Sequence, residues 1–150
     1  MQTRLLNNEL IVHVSQLFDE QLIYPVELLF FARKTEREAG DEITQLLKEV
    51  TALSDQIHLQ NYDIDKNASV AQKYGVQNAP GLVVAGRAKD NTVIDYGIRL
   101  IGAPSGYEFS CLIQAIILVS KRDSGLKQDT RDMLKQLKES IHLQVFVTPT

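Results

Sequence analysis

The sequence predicts an α/β fold with a mixed central sheet flanked by helices. Short apolar runs of strand length, such as "VELLFFA" and "GLVVAG", alternate with segments whose apolar residues recur every three or four positions. Two strand candidates are separated only by the turn "AKDN", which makes them an antiparallel hairpin in a chain whose other strands are linked by helices. The 150 residues are 44% hydrophobic and 23% charged, the balance of one globular domain with a usable core.

The elements follow in order. From Asn7 to Leu22, the residues Leu10, Val14, Leu17, Phe18 and Leu22 recur at helical spacing. Pro25 interrupts, and Val26 to Ala32 reads as a buried strand. Thr35 and Glu38 fit a capping box for the helix that follows, whose apolar face carries Ile43, Leu46, Leu47, Val50 and Leu53. "IHLQNYDI" alternates as a strand. Asn67 is placed to cap a short helix, "ASVAQKY", which Gly75 ends. A strand begins just after Pro80, and "TVIDYGIRLIG" returns beside it. Ser105 and Glu108 form a second capping box, opening a helix, "YEFSCLIQAIILVSK", that is apolar on most sides and so expected to be deeply packed. A polar helix from about Asp129 to Glu139 and an apolar strand, "IHLQVFVTPT", close the chain. Strands linked by helices are expected to run parallel through right-handed crossovers, with the hairpin adding an antiparallel edge.

Composition excludes several classes. A net charge of −3 gives no support for broad binding to nucleic acid or anionic membranes. The single cysteine, Cys111, forms neither an internal disulfide nor a dithiol pair, and anchors no cysteine-rich zinc site. No apolar run reaches transmembrane length, and the N-terminus shows no small-residue cleavage site, so a cytoplasmic protein without a signal peptide is expected. His13, His58 and His142 fall on separate elements without paired-ligand spacing. "GRAKDNTVIDYG" lacks the phosphate-loop pattern. No cofactor or metal is expected.

The stretch "AQKYGVQNAPGLVV" resembles the proline loop of the thioredoxin fold, in which the proline is kept cis. Across Val26 to Thr150, the order of elements, "IGAPSGYEF" before an apolar helix and the closing "VFVTPT" resemble the N-terminal half of the two-domain protein disulfide oxidoreductases, glutaredoxin-like proteins built of two tandem thioredoxin folds. "GAPSGYEF" is also similar to the N-terminal domain of the flavoprotein subunit of alkyl hydroperoxide reductase, where the first of two thioredoxin folds lacks its cysteines. The resemblance implies a thioredoxin-like domain over residues 1–140, with residues 1–23 as an extra N-terminal helix. Residues 141–150 would then be the first strand of a missing second fold, and that fold the chain's partner.

In an active thioredoxin fold the nucleophilic cysteine opens the helix after the first strand, where unpaired N–H groups and the helix dipole stabilise its thiolate. A second cysteine three residues on resolves the mixed disulfide. The resemblance places these positions at Arg37 and Gly40, neither of which attacks sulfur. The implied function is a redox-inactive fold of a protein disulfide oxidoreductase, with a structural or substrate-docking role toward protein or peptide disulfides. The alternative is a stand-alone peptide-binding module, monomeric or homodimeric, that presents Ala79, Pro80 and Gly81 to an extended chain. Three features each have two readings: Arg37 as an anion-binding or a solvated first-turn residue, Cys111 as a lone thiol nucleophile or a small buried hydrophobe, and Asp63 and Asp65 as a carboxylate pair or as turn residues.

Overall fold

The computed structural model describes residues 4–147, and for residues 36–39 the backbone path alone. Helix α1, Asn8–Gln21, starts where Asn7 accepts the Leu10 N–H at 2.8 Å, and buries Val14 and Phe18. Strand β1, Val26–Ala32, is buried along nearly its whole length, because helices cover both faces of the sheet at its centre. Its alternate residues split between two cores. Val26, Leu28 and Phe30 pack with α1 and with helices α2, Arg37–Thr51, and α4, Tyr107–Lys121. Leu29 and Phe31 pack on the opposite face with Ala71 of α3, Ala68–Lys73. Strand β2 spans Ile57–Asp63, β3 Gly81–Arg87 and β4 Val93–Ile101.

The sheet order is β2-β1-β3-β4. Strands β1 and β2 are parallel, as expected of a helical crossover, and β3 and β4 form the antiparallel hairpin. Strand β3, although it follows a helix, runs antiparallel to β1, against the parallel expectation. The cause is the size of α3. Six residues rise about 9 Å, well short of the ~23 Å spanned by a seven-residue strand. The chain therefore re-enters the sheet at the end where β2 left it, and must run back.

Several local expectations change in the same way. The chain enters α2 through a 3₁₀ turn, Lys34–Glu36, so Thr35 lies inside that turn and is not the residue before the helix. The side chain of Glu38, the other half of that capping box, lies outside the described residues. Asn67 precedes α3, but its side chain accepts the Asp63 N–H at 3.2 Å and caps nothing in the helix. Gly75 ends α3 at φ 64°, a conformation that favours glycine. At α4 the residue before the helix is Gly106, and Ser105 contributes only its carbonyl, which accepts the Glu108 N–H at 3.1 Å.

Helix α4 packs one face and not most of its surface. Leu112, Ile113, Ile116, Ile117, Val119 and Ser120 are buried, while Ser110, Cys111, Gln114 and Leu118 are exposed. It belongs to an outer layer, so the sheet and α1 cover only one stripe of it. The polar helix, α5, is shorter than expected, Gln128–Leu134. The strand expected over 141–150 does not form in its described part. Residues 141–147 have no regular structure and lie outside the sheet, with Leu143 86% and Phe146 85% exposed. Residues 148–150 lie outside the described residues.

Candidate functional site

The end of β1 and the start of β3 meet at one edge of the fold, where Phe31 pairs with Gly81. This places the loop before β3 beside the segment that feeds α2. The Ala79–Pro80 peptide bond is cis. The Pro80 carbonyl accepts the Gly102 N–H at 2.9 Å, which ties the loop to the end of β4. Gly81 is required by close approach: a Cβ there would lie 2.7 Å from the Asn78 carbonyl oxygen and 2.9 Å from Val76 Cγ1. Ala79 is half-buried, and among the described residues its N–H and C=O have no hydrogen-bond partner.

Arg37 is the first residue of α2, and Gly40 lies in its first turn. Gly40 is buried against Ala32, whose Cβ is 3.4 Å from where a Cβ on Gly40 would stand. The Arg37 side chain lies outside the described residues. An open cleft of about 480 Å³ runs beside the helix start, lined by Ala32, Arg33, Gly40, Asp41, Thr44 and Tyr62 among others. Residues 79–81 do not line it, so the residues singled out from sequence occupy two adjoining features and not one pocket.

The charges around the cleft are used locally. Arg33 pairs with Asp65 at 3.2 Å, and Asp63 Oδ1 accepts the N–H groups of Asp65 at 3.1 Å and Lys66 at 3.4 Å. The two aspartates are thus a turn residue and an ion-pair partner, not an acid–base pair. Tyr62 stacks on Phe31, with ring centroids 5.1 Å apart. Burial, reinforced by Tyr74 and Glu27 nearby, raises its phenol above the usual tyrosine range. The Tyr62 hydroxyl donates to Gln60 Oε1, the Gln60 amide donates to Glu27 at 2.7 Å, and Arg87 pairs with Glu27 at 3.6 Å. Sequence reasoning missed this network. Its signal was a single carboxylate inside "VELLFFA", since a buried charge must be partnered.

Cys111, expected in the core, is exposed on the outer face of α4. His13 lies on α1, His58 on β2 and His142 in the tail. No group of three or more metal-ligating side chains occurs among the described residues, and among them no helix is long and apolar enough to cross a membrane. Among the described residues, the site offers the unpaired backbone of Ala79 and an open cleft beside a helix start that carries no thiol.

No protein-family profile matches the chain. The alkyl hydroperoxide reductase protein AhpF of Staphylococcus aureus is 28% identical over 121 residues, covering 81% of this chain and 20% of that protein. A protein disulfide oxidoreductase from Aeropyrum pernix superposes with a TM-score of 0.74 at 22% identity, covering 88% of this chain and 55% of the other. The NTD_N/C domain of AhpF from Enterococcus faecalis gives 0.73 at 23%, covering 85% and 58%. The cis-proline loop, the β2-β1-β3-β4 sheet and these superpositions define a thioredoxin-like α/β fold. In sequence, the chain is related to the N-terminal thioredoxin-fold domain of AhpF, and it spans about a fifth of the length of the curated relatives it matches.

Proposed function

We propose that this domain is a redox-silent thioredoxin fold that serves as a docking unit for a partner carrying out thiol–disulfide exchange, in the manner of the first of two tandem folds. The observation that carries the reading is the occupancy of the first turn of α2. Arg37 and Gly40 lie in that turn, and the resemblance assigns to them the positions of the two thiols; the proline loop keeps its cis bond and tight packing. The names of the relatives supply the parent activity, disulfide oxidoreduction or reduction of alkyl hydroperoxides. The second fold of the parent, and through it protein or peptide disulfides, are the partners. Residues from 141 onward are where the chain leaves this domain.

A second reading, the stand-alone peptide-binding module, is favoured by the N–H and C=O of Ala79, which have no partner among the described residues and are the groups an extended peptide would engage. An insulin-reduction assay with dithiothreitol tests the first reading. The wild-type chain is expected to match the blank, and Arg37→Cys/Gly40→Cys to exceed it. Turnover by the wild type that disappears in Cys111→Ser overturns it. Amide shifts confined to residues 79 and 81 on adding an extended peptide support the second.

A further inference from the structure

Strand β4 breaks its pairing with β3 at one place. Ile98 lies opposite Val84 and Ile94 opposite Gly86, so the segment from Asp95 to Gly97 bulges out of register. Gly97 takes φ 81° there, a conformation that favours glycine. A bulge bends its strand and re-aims side chains. Here the Asp95 carboxylate turns back along β4. Its Oδ1 accepts the Gly97 N–H at 2.9 Å, and its two oxygens accept Arg99 Nη1 at 2.9 Å and Nη2 at 2.7 Å. The hydrogen bonds from Arg99, against the opposing pull of partial burial, hold the Asp95 carboxyl below the usual aspartate range. The pair is therefore charged at neutral pH.

Arg99, so held, reaches the proline loop. Ile98 and Leu100 pack toward the core shared with α4, so Arg99 projects from the opposite face of the sheet, where α3 ends. Its Nε–H donates to the Tyr74 carbonyl at 2.8 Å, and Nη1 also donates to the Ile98 carbonyl at 3.0 Å. Tyr74 closes α3, and its carbonyl is one that a helix end leaves without an internal partner. Two residues on, the Val76 N–H donates to the Ala71 carbonyl at 2.9 Å, and Val76 Cγ1 would stand 2.9 Å from a Cβ on Gly81. Strand β4 meets the loop again at its far end, where the Gly102 N–H donates to the Pro80 carbonyl. One strand thus holds the segment from Gly75 to Pro80 at both ends. Between them, the backbone groups of Gln77, Asn78 and Ala79 have no hydrogen-bond partner among the described residues, so the direction of Ala79 is set from the ends.

We propose that Arg99, oriented by Asp95, is a positioning residue for the proline loop: by fixing the Tyr74 carbonyl it sets the direction in which the Ala79 N–H and C=O face an incoming extended chain. Its consequence for binding rests on the peptide-module reading, whereas its effect on the loop is read without any ligand. The planar guanidinium serves Asp95, Ile98 and Tyr74 at once. A lysine ammonium is a point charge on a flexible stem and does not reproduce that fork. Charge alone is therefore not what the position requires. A second arginine–aspartate pair, Arg131 with Asp123 at 3.2 and 2.8 Å, lies in the C-terminal segment and serves as the control.

Amide spectra and hydrogen exchange of the full 150-residue chain test it, in the wild type and in Asp95→Asn, Arg99→Gln, Arg99→Lys and Arg131→Gln. The first three variants should each shift the Ala79 amide and speed exchange at Val76 by about tenfold, while β1 amides such as Leu28 keep their rates. Arg99→Lys should resemble Arg99→Gln, and Arg131→Gln should leave Ala79 and Val76 unchanged. Titration with the cysteine-free peptide acetyl-Val-Thr-Val-Thr-Val-amide should then show binding at residues 79 and 81 weakened about tenfold in Asp95→Asn. Folded variants with wild-type Ala79 shifts and Val76 exchange overturn the proposal. So does equal acceleration of Val76 and Leu28, which marks a loss of global stability alone, and so does a wild-type loop in Arg99→Lys. If Arg99→Gln fails to fold, Asp95→Asn decides, since it leaves Arg99 in place. A wild type that ignores the peptide removes the peptide-module reading, and the Ala79 and Val76 amides of the variants still decide whether Arg99 positions the loop.

Discussion

The same substitution at two glycines should act with opposite sign. Gly40 lies in the first turn of α2 without a positive φ, and among the described residues a Cβ added there meets only the Ala32 Cβ, at 3.4 Å. Glycine in a helix is less stable than alanine by about 0.5–1 kcal/mol, chiefly through the backbone entropy it loses on folding. A methyl group at ordinary contact distance adds little repulsion, so Gly40→Ala should stabilise by about 0.5–1 kcal/mol, a rise in Tm of about 1–4 °C for a chain of this size. Gly81 differs. Its added Cβ would stand 2.7 Å from the Asn78 carbonyl oxygen, which is backbone and cannot rotate aside. Gly81→Ala should therefore destabilise by about 1–3 kcal/mol and loosen the proline loop. Urea melts followed by circular dichroism, with thermal scans in parallel, measure both. Loss of more than about 1 kcal/mol in Gly40→Ala would show that Ala32 does not yield and that a side chain cannot be seated at this helix start. It would then undercut the expectation that a cysteine fits there. A neutral Gly81→Ala would refute the close-approach argument for the loop.

Two further outcomes follow from single side chains. The Ser120 hydroxyl, on a fully buried residue, donates to the Tyr24 carbonyl at 2.7 Å and accepts the Ile23 and Tyr24 N–H groups at 2.8 and 3.1 Å, so Ser120→Ala should cost about 1 kcal/mol in a denaturant melt through the loss of these bonds. The Glu49 carboxylate is raised by partial burial, but the N–H groups of Leu6 and Leu5, with Gln45 and Arg4, outweigh this and hold it below the usual glutamate range. A depressed carboxyl contributes stability that is present above its unfolded pKa and is lost as pH falls through its folded one. The attachment of Leu5 and Leu6 to α2 should thus hold at neutral pH and release on acidification below the ordinary glutamate range. Amide shifts of these two residues should follow that titration and lose it in Glu49→Gln.

Much of the fold was legible locally. An unbroken apolar run can be a strand only if both its faces are covered, and β1 is such a strand with its predicted bounds. Asn7 announced α1 because a side-chain oxygen before a helix satisfies an N–H that the helix itself cannot. The proline loop was likewise plain, since it depends on which residues stand at which positions. Other features were settled only by what packs against what. The direction of β3 depends on how far a six-residue helix carries the chain, not on any residue of β3. Cys111 sits among apolar neighbours in sequence yet faces solvent, because a helix in an outer layer has only one side covered. Glu27 is buried through Gln60 and Arg87, and Ser120 grips the chain 96 residues away at Tyr24, on strands and helices that sequence order keeps apart. Backbone geometry imposes its periods on neighbouring residues, so the elements and their caps are written locally. Burial and hydrogen-bond partnership are properties of pairs distant in the chain, and they come into being only when the sheet and its helices close around them.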